Sequence, residues 1–274
     1  MRYNIPYGDS KAYFEAPEAS VIFEGKMTNI PGIKDLESAL ISALESPIGT
    51  LPLKELAKER KNIVFLIEDN TRSTPLNIIM PIITDYLNKT GVPDSAMSFL
   101  TAPGTHRLMT NEEIIEKIGS NMVSRFRVMQ HDATVSEDME DLGTVLAGDY
   151  SIPVHVNRHA LRADLLVGIG NIVPHCDAGY SGGAKILQPG VCDFVTTSAT
   201  HAAAGFCPDI PLGMADGNPC RMGMEEVAKI AGLAFIVNTV KNYEGDIAGI
   251  FAGDFIKAHR EGVKLAERSY SIRV

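Results

Sequence analysis

Two short runs in this chain are apolar throughout: Ile63, Val64, Phe65, Leu66 and Ile67, and then Leu165, Leu166, Val167, Gly168 and Ile169. A strand with one wet face alternates apolar with polar residues. A run with no polar position is buried on both faces, as in a parallel sheet covered by helices. Further strand-like runs occur at 97–100, 126–129, 152–156 and 234–237. Helical spacing fills the intervals at 75–88, 191–204, 221–231 and 255–268, with Pro75 in a first turn, where its missing N–H costs nothing. Thr110 and Glu113 form a capping-box signature for a helix through Ile118. Residues 33–60 are also helical in spacing, broken near Pro47 and Gly49. Ahead of them, residues 3–26 read as a short antiparallel meander, with Tyr13, Phe14, Val21, Ile22 and Phe23 set between turn signals at Tyr7, Gly8 and Asp9 and at Ala16, Pro17 and Glu18. Strand–helix alternation of this kind predicts an α/β domain with a largely parallel sheet flanked by helices. The expected domain covers residues 1–268, and 269–274 read as the start of a strand or linker toward a further domain.

Composition narrows the function. The net charge of −9 argues against a nucleic acid or an anionic membrane as partner, but leaves room for a locally basic pocket. No apolar run reaches the roughly 18 residues of a membrane span. The opening residues lack the apolar core of a signal peptide. Cys176, Cys192, Cys207 and Cys220 are not spaced as CxxC pairs. Neither a zinc knuckle nor a disulfide framework is expected, and a reducing cytoplasm is the default location.

In open α/β sheets, ligands gather beyond the carboxyl ends of the strands. After the first apolar run come Asp69, Asn70, Thr71 and Arg72, just ahead of a helix start that suits an anion. Arg72 can grip a carboxylate or phosphate with two parallel hydrogen bonds. The alternative is plain capping by Asp69, Thr71 or Ser73. After the run at 97–100 comes His106, approached through Pro103 and Gly104, and after Leu165 to Ile169 comes His175, with Asp177 two residues on as a candidate orienting group. Each imidazole suits acid–base work near neutral pH. Each could equally be a structural histidine bonded to a carbonyl. The segment from Gly179 to Lys185 lets backbone N–H groups of Ser181, Gly182 and Gly183 approach a phosphate. It is neither a Walker loop nor a dinucleotide fingerprint, because Ala184 and Ile186 flank Lys185. Lys185 can anchor a cofactor covalently or be a solvated turn residue. His201, near a helix end, can complement the dipole or ligate a metal such as nickel, copper or zinc. His131, His155, His159 and His259 are assigned to strand ends, loops or helix surfaces.

Taken in order, Ile5, Pro6, Tyr7 and Gly8, then Asp69 to Arg72, then Gly104 to Arg107, then Pro174 and His175, the glycine loop with Lys185, and His201 resemble the lactate racemase family. The resemblance covers nearly the whole chain and implies a Rossmann-like fold. It implies a nickel-pincer nucleotide, a pyridinium mononucleotide whose two thioacid arms hold nickel, attached covalently at Lys185. His201 would then be the protein's nickel ligand. Asp69, Asn70, Thr71, Arg72, Ser181, Gly182 and Gly183 would contact the cofactor, and Arg72 would also hold substrate. His106 and His175 would be the paired acid and base. The implied reaction inverts a lactate-like 2-hydroxyacid by hydride transfer to and from the cofactor, which other enzymes would synthesise. Family members carry a further closing domain, which the resemblance places after this chain's last helix. Two other readings compete: a zinc-type hydrolase using His106, His175 and His201 with Asp177, and a non-catalytic module that binds a nucleotide or phosphate ligand.

Overall fold

The computed structural model describes residues 1–8, 10–25, 27–205 and 212–272. The chain opens with a hairpin of β1 (Arg2–Tyr7) and β2 (Ser10–Glu15), paired antiparallel from Arg2 opposite Glu15 to Tyr7 opposite Ser10. The expected meander is therefore one hairpin. After Pro17 a short 3-10 turn at Glu18–Ser20 ends the pairing, and Val21, Ile22 and Phe23 form no strand. Helices α1 (Leu36–Glu45) and α2 (Leu53–Ala57) follow, separated at the Pro47 and Gly49 break.

The strand–helix alternation then begins with β3 (Ile63–Ile67), α3 (Leu76–Lys89), β4 (Met97–Thr101), α4 (Asn111–Ile118), α5 (Ser120–Arg125) and β5 (Arg127–Gln130). The Thr110 and Glu113 capping box forms as its spacing predicts. A hairpin of β6 (Met139–Ala147) and β7 (Tyr150–Asn157) comes next, then α6 (Arg158–Leu161) and β8 (Leu165–Asn171). Two short strands, β9 (Pro174–His175) and β10 (Gly179–Tyr180), pair with each other. The chain continues through α7 (Phe194–Gly205), α8 (Pro219–Ile230), β11 (Leu233–Lys241), β12 (Ile247–Gly253) and α9 (Lys257–Tyr270).

The central sheet has the order β12-β11-β8-β3-β4-β5. Every neighbouring pair is parallel except β11 with β12. Both of its faces are covered, which is why β3 and β8 are apolar at consecutive positions. Ile63, Phe65, Ile67, Val167 and Ile169 pack toward α1 and α3, while Val64, Leu66 and Leu166 pack toward the β6–β7 hairpin and α8. From β3 the chain winds outward to β4 and β5, then returns to the other side of β3 as β8 and winds outward again. The reversal falls between β3 and β8, and a crevice opens there at the carboxyl ends.

Several expectations need correction. The run at 152–156 belongs to the β6–β7 hairpin, outside the central sheet, and its every-other-residue burial marks a strand with one covered face. β6 and β12 were not expected, because charge in one and glycine in the other interrupt their apolar patterns. Lys185 stands in a 3-10 turn, Gly183–Ile186, and not at a helix start. Ser269 and Tyr270 continue α9, with Ser269 Oγ donating to Lys241 O at 3.1 Å. His259 is fully buried within α9 rather than on a helix surface, and His131, at the end of β5, is fully buried too. Asp9, Lys26 and Cys207 lie outside the described residues.

Phe65, fully buried, packs against Phe99 with ring centroids 5.6 Å apart and planes tilted by 41°. Phe65→Ala is expected to lower unfolding free energy by about 3–5 kcal/mol, read as a reduced urea midpoint.

Candidate active site

The crevice between β3 and β8 gathers side chains from four separated segments. Its walls include Glu68, Asp69 and Arg72 after β3, and Gly104 and His106 after β4. His175, Ser181, Gly182 and Lys185 come after β8, and Thr197 and His201 come from α7. Arg72, His106, His175, Lys185 and His201 thus meet at one cleft, together with Asp69, Ser181 and Gly182. Asn70, Thr71 and Gly183 do not line it. Asn70 turns aside and donates to Glu113 Oε1 at 2.9 Å. Thr71 closes a turn on Asp69 Oδ1, with its hydroxyl at 2.6 Å. Gly183 is buried against the His259 ring.

Backbone conformation sets these positions. Gly104 has φ +63, and its N–H donates to Gly190 O at 2.9 Å, which docks the His106 loop beside the Lys185 turn. Gly182 has φ +75, and a Cβ there would stand 2.8 Å from both Asn238 Oδ1 and Ile172 Cγ1. Only glycine fits that corner. The Arg72 loop is stapled from behind: Lys117 Nζ donates to the carbonyls of Arg72 and Thr74, and Lys241 Nζ donates to Ser73 O at 2.8 Å.

The hydrogen bonds fix the tautomers of all three cleft histidines. His106 Nδ1 lies 2.7 Å from Asp69 Oδ2. A carboxylate accepts, so Nδ1 carries the proton and Nε2 keeps a free lone pair. His201 Nδ1 lies 2.7 Å from Thr197 O, one turn earlier in α7, so its Nε2 lone pair is also free. His175 is the opposite case. Its Nδ1 accepts the backbone N–H groups of Asp177 and Ala178 at 3.2 and 3.3 Å, which leaves the proton on Nε2. Asp177 therefore orients His175 through its backbone, and its carboxylate stands 4.0 Å away.

Charge is distributed unevenly. Burial, with Lys185, Arg221 and Arg72 nearby, pushes His175 down to about 4, against a partial pull upward from Asp177. Burial, with Arg72 and Arg221, pushes Lys185 down to about 8. Lys185 forms no ion pair among the described residues, and with its value lowered a minor fraction of its amine is unprotonated near neutral pH. Glu68 was missed by the sequence reasoning. It is buried in the cleft floor, accepts the Thr74 hydroxyl and the Asn171 N–H, and has its carboxyl pushed up by desolvation. Its place directly after an apolar strand was the available signal.

The three histidines do not form a compact metal site. Among the described residues, the one His, Cys and Asp/Glu group close enough to share an ion is His175, Cys176 and Asp177, where His175 Nδ1 already accepts two N–H groups. This geometry weighs against the zinc-hydrolase reading.

Fold and cleft together define an α/β domain whose switch-point crevice presents Arg72 and Lys185, two buried carboxyls and three tautomer-fixed imidazoles. The sequence profile of the lactate racemase N-terminal domain matches residues 7–210, and the chain belongs to that family. It is 36% identical to the lactate racemase of Thermoanaerobacterium thermosaccharolyticum over 94% of this chain and 60% of that protein. It is 35% identical to the lactate racemase of Lactiplantibacillus plantarum over 84% of this chain and 54% of that protein. The structure of the Thermoanaerobacterium lactate racemase apoprotein superposes with a TM-score of 0.87 at 34% identity, covering 99% of this chain and 63% of that one. The chain thus spans little more than half the length of these relatives. No described helix is long and apolar enough to cross a membrane.

Burial holds His131, His175 and His259 below the ordinary histidine value of 6.5. Such groups are neutral when folded, while the unfolded chain takes up protons below 6.5. Their stabilising contribution is complete above that value and is lost as pH falls toward 4. The urea midpoint is expected to fall between pH 7 and pH 5, and an NMR titration should place the His175 midpoint near 4.

Proposed function

We propose that this chain is the cofactor-carrying part of a 2-hydroxyacid racemase or epimerase of the lactate racemase type, an isomerase that uses a nickel-pincer nucleotide. The observation that carries the reading is the matched pair of donors in one cleft: a buried lysine amine without an ion pair, and His201 with Nδ1 committed and Nε2 free. A thioacid arm needs an amine to bind covalently, and nickel takes a neutral imidazole nitrogen whose partner N–H is anchored. Lys185 and His201 fit those two demands. Ser181 and Gly182 line the same wall, with Asp69 and Arg72 opposite. When bound, the cofactor would accept and return the hydride of the carbinol carbon, chemistry that no side chain supplies.

The remaining work falls to this chain's own residues. Arg72 holds the substrate carboxylate with two parallel hydrogen bonds. His106 Nε2 takes the hydroxyl proton. Asp69, donating nothing and accepting the Nδ1 proton, steadies the imidazolium that forms, as in any carboxylate–histidine pair. His175 presents an N–H to the same oxygen and so can hold it by hydrogen bond, while the proton that returns is the one His106 has taken up. Two imidazoles of opposite tautomer suit a reaction in which one oxygen gives its proton to the first and is held by hydrogen bond from the second. Small 2-hydroxyacids are the substrate class, and the enzymes that build the cofactor are the implied partners.

Loading is the direct test. The protein co-produced with cofactor-making enzymes is expected to gain one adduct mapped to Lys185 and one equivalent of nickel, and Lys185→Ala to gain neither. Zinc in place of nickel, with no added mass, would refute the assignment. In cofactor-loaded protein that interconverts lactate enantiomers, His106→Ala and His175→Ala should each lower kcat by about 10²–10⁴-fold. Near-normal turnover in either variant removes the two-histidine scheme.

A further inference from the structure

His175 and Lys185 belong to one stretch of chain, and the strap between them is held from behind, carbonyl by carbonyl. Asn218, the N-cap of α8, donates from Nδ2 to Asp177 O at 2.9 Å. One turn later, Arg221 donates from Nε to Ala178 O at 3.3 Å, from Nη2 to Tyr180 O, and from Nη1 to Gly182 O at 3.0 Å. His259 of α9 donates from Nε2 to Ser181 O at 2.9 Å, and Arg260 donates to its Nδ1 at 3.0 Å, which fixes that tautomer.

Arg221 is fully buried and does not reach the cleft. Among the described residues it has no ion pair of its own, since neighbouring Glu225 pairs with Arg260 at 2.8 Å. A guanidinium sealed in protein without a carboxylate is costly unless its N–H groups are met. Here strap carbonyls meet them. The planar fork of three donors spans positions 178, 180 and 182, and a lysine, with one compact ammonium group, cannot match that reach.

We propose that Arg221 is a positioning residue for the reactive wall of the site: it draws the carbonyls of residues 178–182 away from the cleft, so that the ends of the strap, His175 and Lys185, face into it. The proposal deepens the racemase reading, which supplies the reason why these two groups must be aimed. Its positive charge also acts on both groups. Lys185 is surrounded by Arg72 from the loop after β3, by Arg221 and Cys220 from α8, and by Asp177 and His175 from the strap. The two guanidiniums disfavour its ammonium form, and Asp177 and Cys220 oppose them.

The test uses the cofactor-free chain, so its outcome is separate from loading or turnover. Lys185 acetylation by acetic anhydride, mapped by mass spectrometry across pH, should give a midpoint near 8. Arg221→Lys keeps the charge and loses most of the grip. It is expected to leave that midpoint in place and to speed amide hydrogen exchange in residues 177–183 by about tenfold or more, while exchange in β3 and β8 is unchanged. Arg221→Gln removes the charge as well, and should also raise the acetylation midpoint by about one pH unit. A lysine variant whose strap exchanges like the original overturns the proposal, whether or not the glutamine variant folds. A folded glutamine variant with an unmoved Lys185 midpoint overturns its electrostatic part. If these results hold and no adduct forms on loading, the racemase reading fails and the positioning role stands.

Discussion

The site exists because the chain winds away from β3 and β8 in opposite directions. Neighbouring parallel strands elsewhere in the sheet are bridged by helices that close over their ends. Between β3 and β8 no connection passes, so the polar segments that follow each strand face each other across a gap. The burial of both sheet faces makes that gap rigid. Strand residues cannot slide by one position without sending Phe65 or Val167 to the wrong side of the sheet and opening a core cavity on the other. The functional side chains hang from the least deformable part of the molecule.

Within this frame, chemistry is assigned by what each histidine touches at Nδ1. Three imidazoles line one cleft and differ in the nitrogen they offer, because one is backed by a carboxylate, one by a helix carbonyl and one by two backbone N–H groups. The carboxylate and the helix carbonyl each hold a proton on Nδ1 and leave Nε2 as an acceptor. The paired N–H groups put the proton on Nε2 of the third ring, and burial, with cations nearby, makes that ring resist a second one. Side chains of one type in one cleft thus offer different nitrogens, two as acceptors and one as a donor.

Much of this was legible in the sequence, and the part that was not has a physical reason. β3 and β8 could be read from consecutive apolar residues, and the crevice followed from asking what stands after each. The capping box at Thr110 was readable because it is local. The β6–β7 hairpin was harder, since Ile152, Val154 and Val156 cover the sheet from one side, and their pattern does not say which sheet a strand joins. Asn70, Thr71 and Gly183 were grouped with their cleft-lining neighbours because adjacency in sequence hides direction: a turn closed on Asp69 sends Asn70 and Thr71 elsewhere. Arg221 and His259 left no trace, because their partners are backbone carbonyls some 40 to 80 residues away, which carry no residue type to recognise.

The molecule's overall charge misleads about its site. A chain of net charge −9 keeps Arg72, Lys185, Arg221, Lys117 and Lys241 in or behind one crevice, and much of its acidic surplus elsewhere. Burial weakens solvent screening, so these cations act on one another more strongly than surface charges would. Burial first, and then this field, push Lys185 toward its neutral amine and keep His175 unprotonated. Anion binding and a nucleophilic lysine would conflict in a solvated pocket, where the ammonium would persist beside the anion. In the proposed function the two are compatible, because three of these cations bond backbone carbonyls and are fixed where they cannot swing in to neutralise a bound anion, which leaves Arg72 for it.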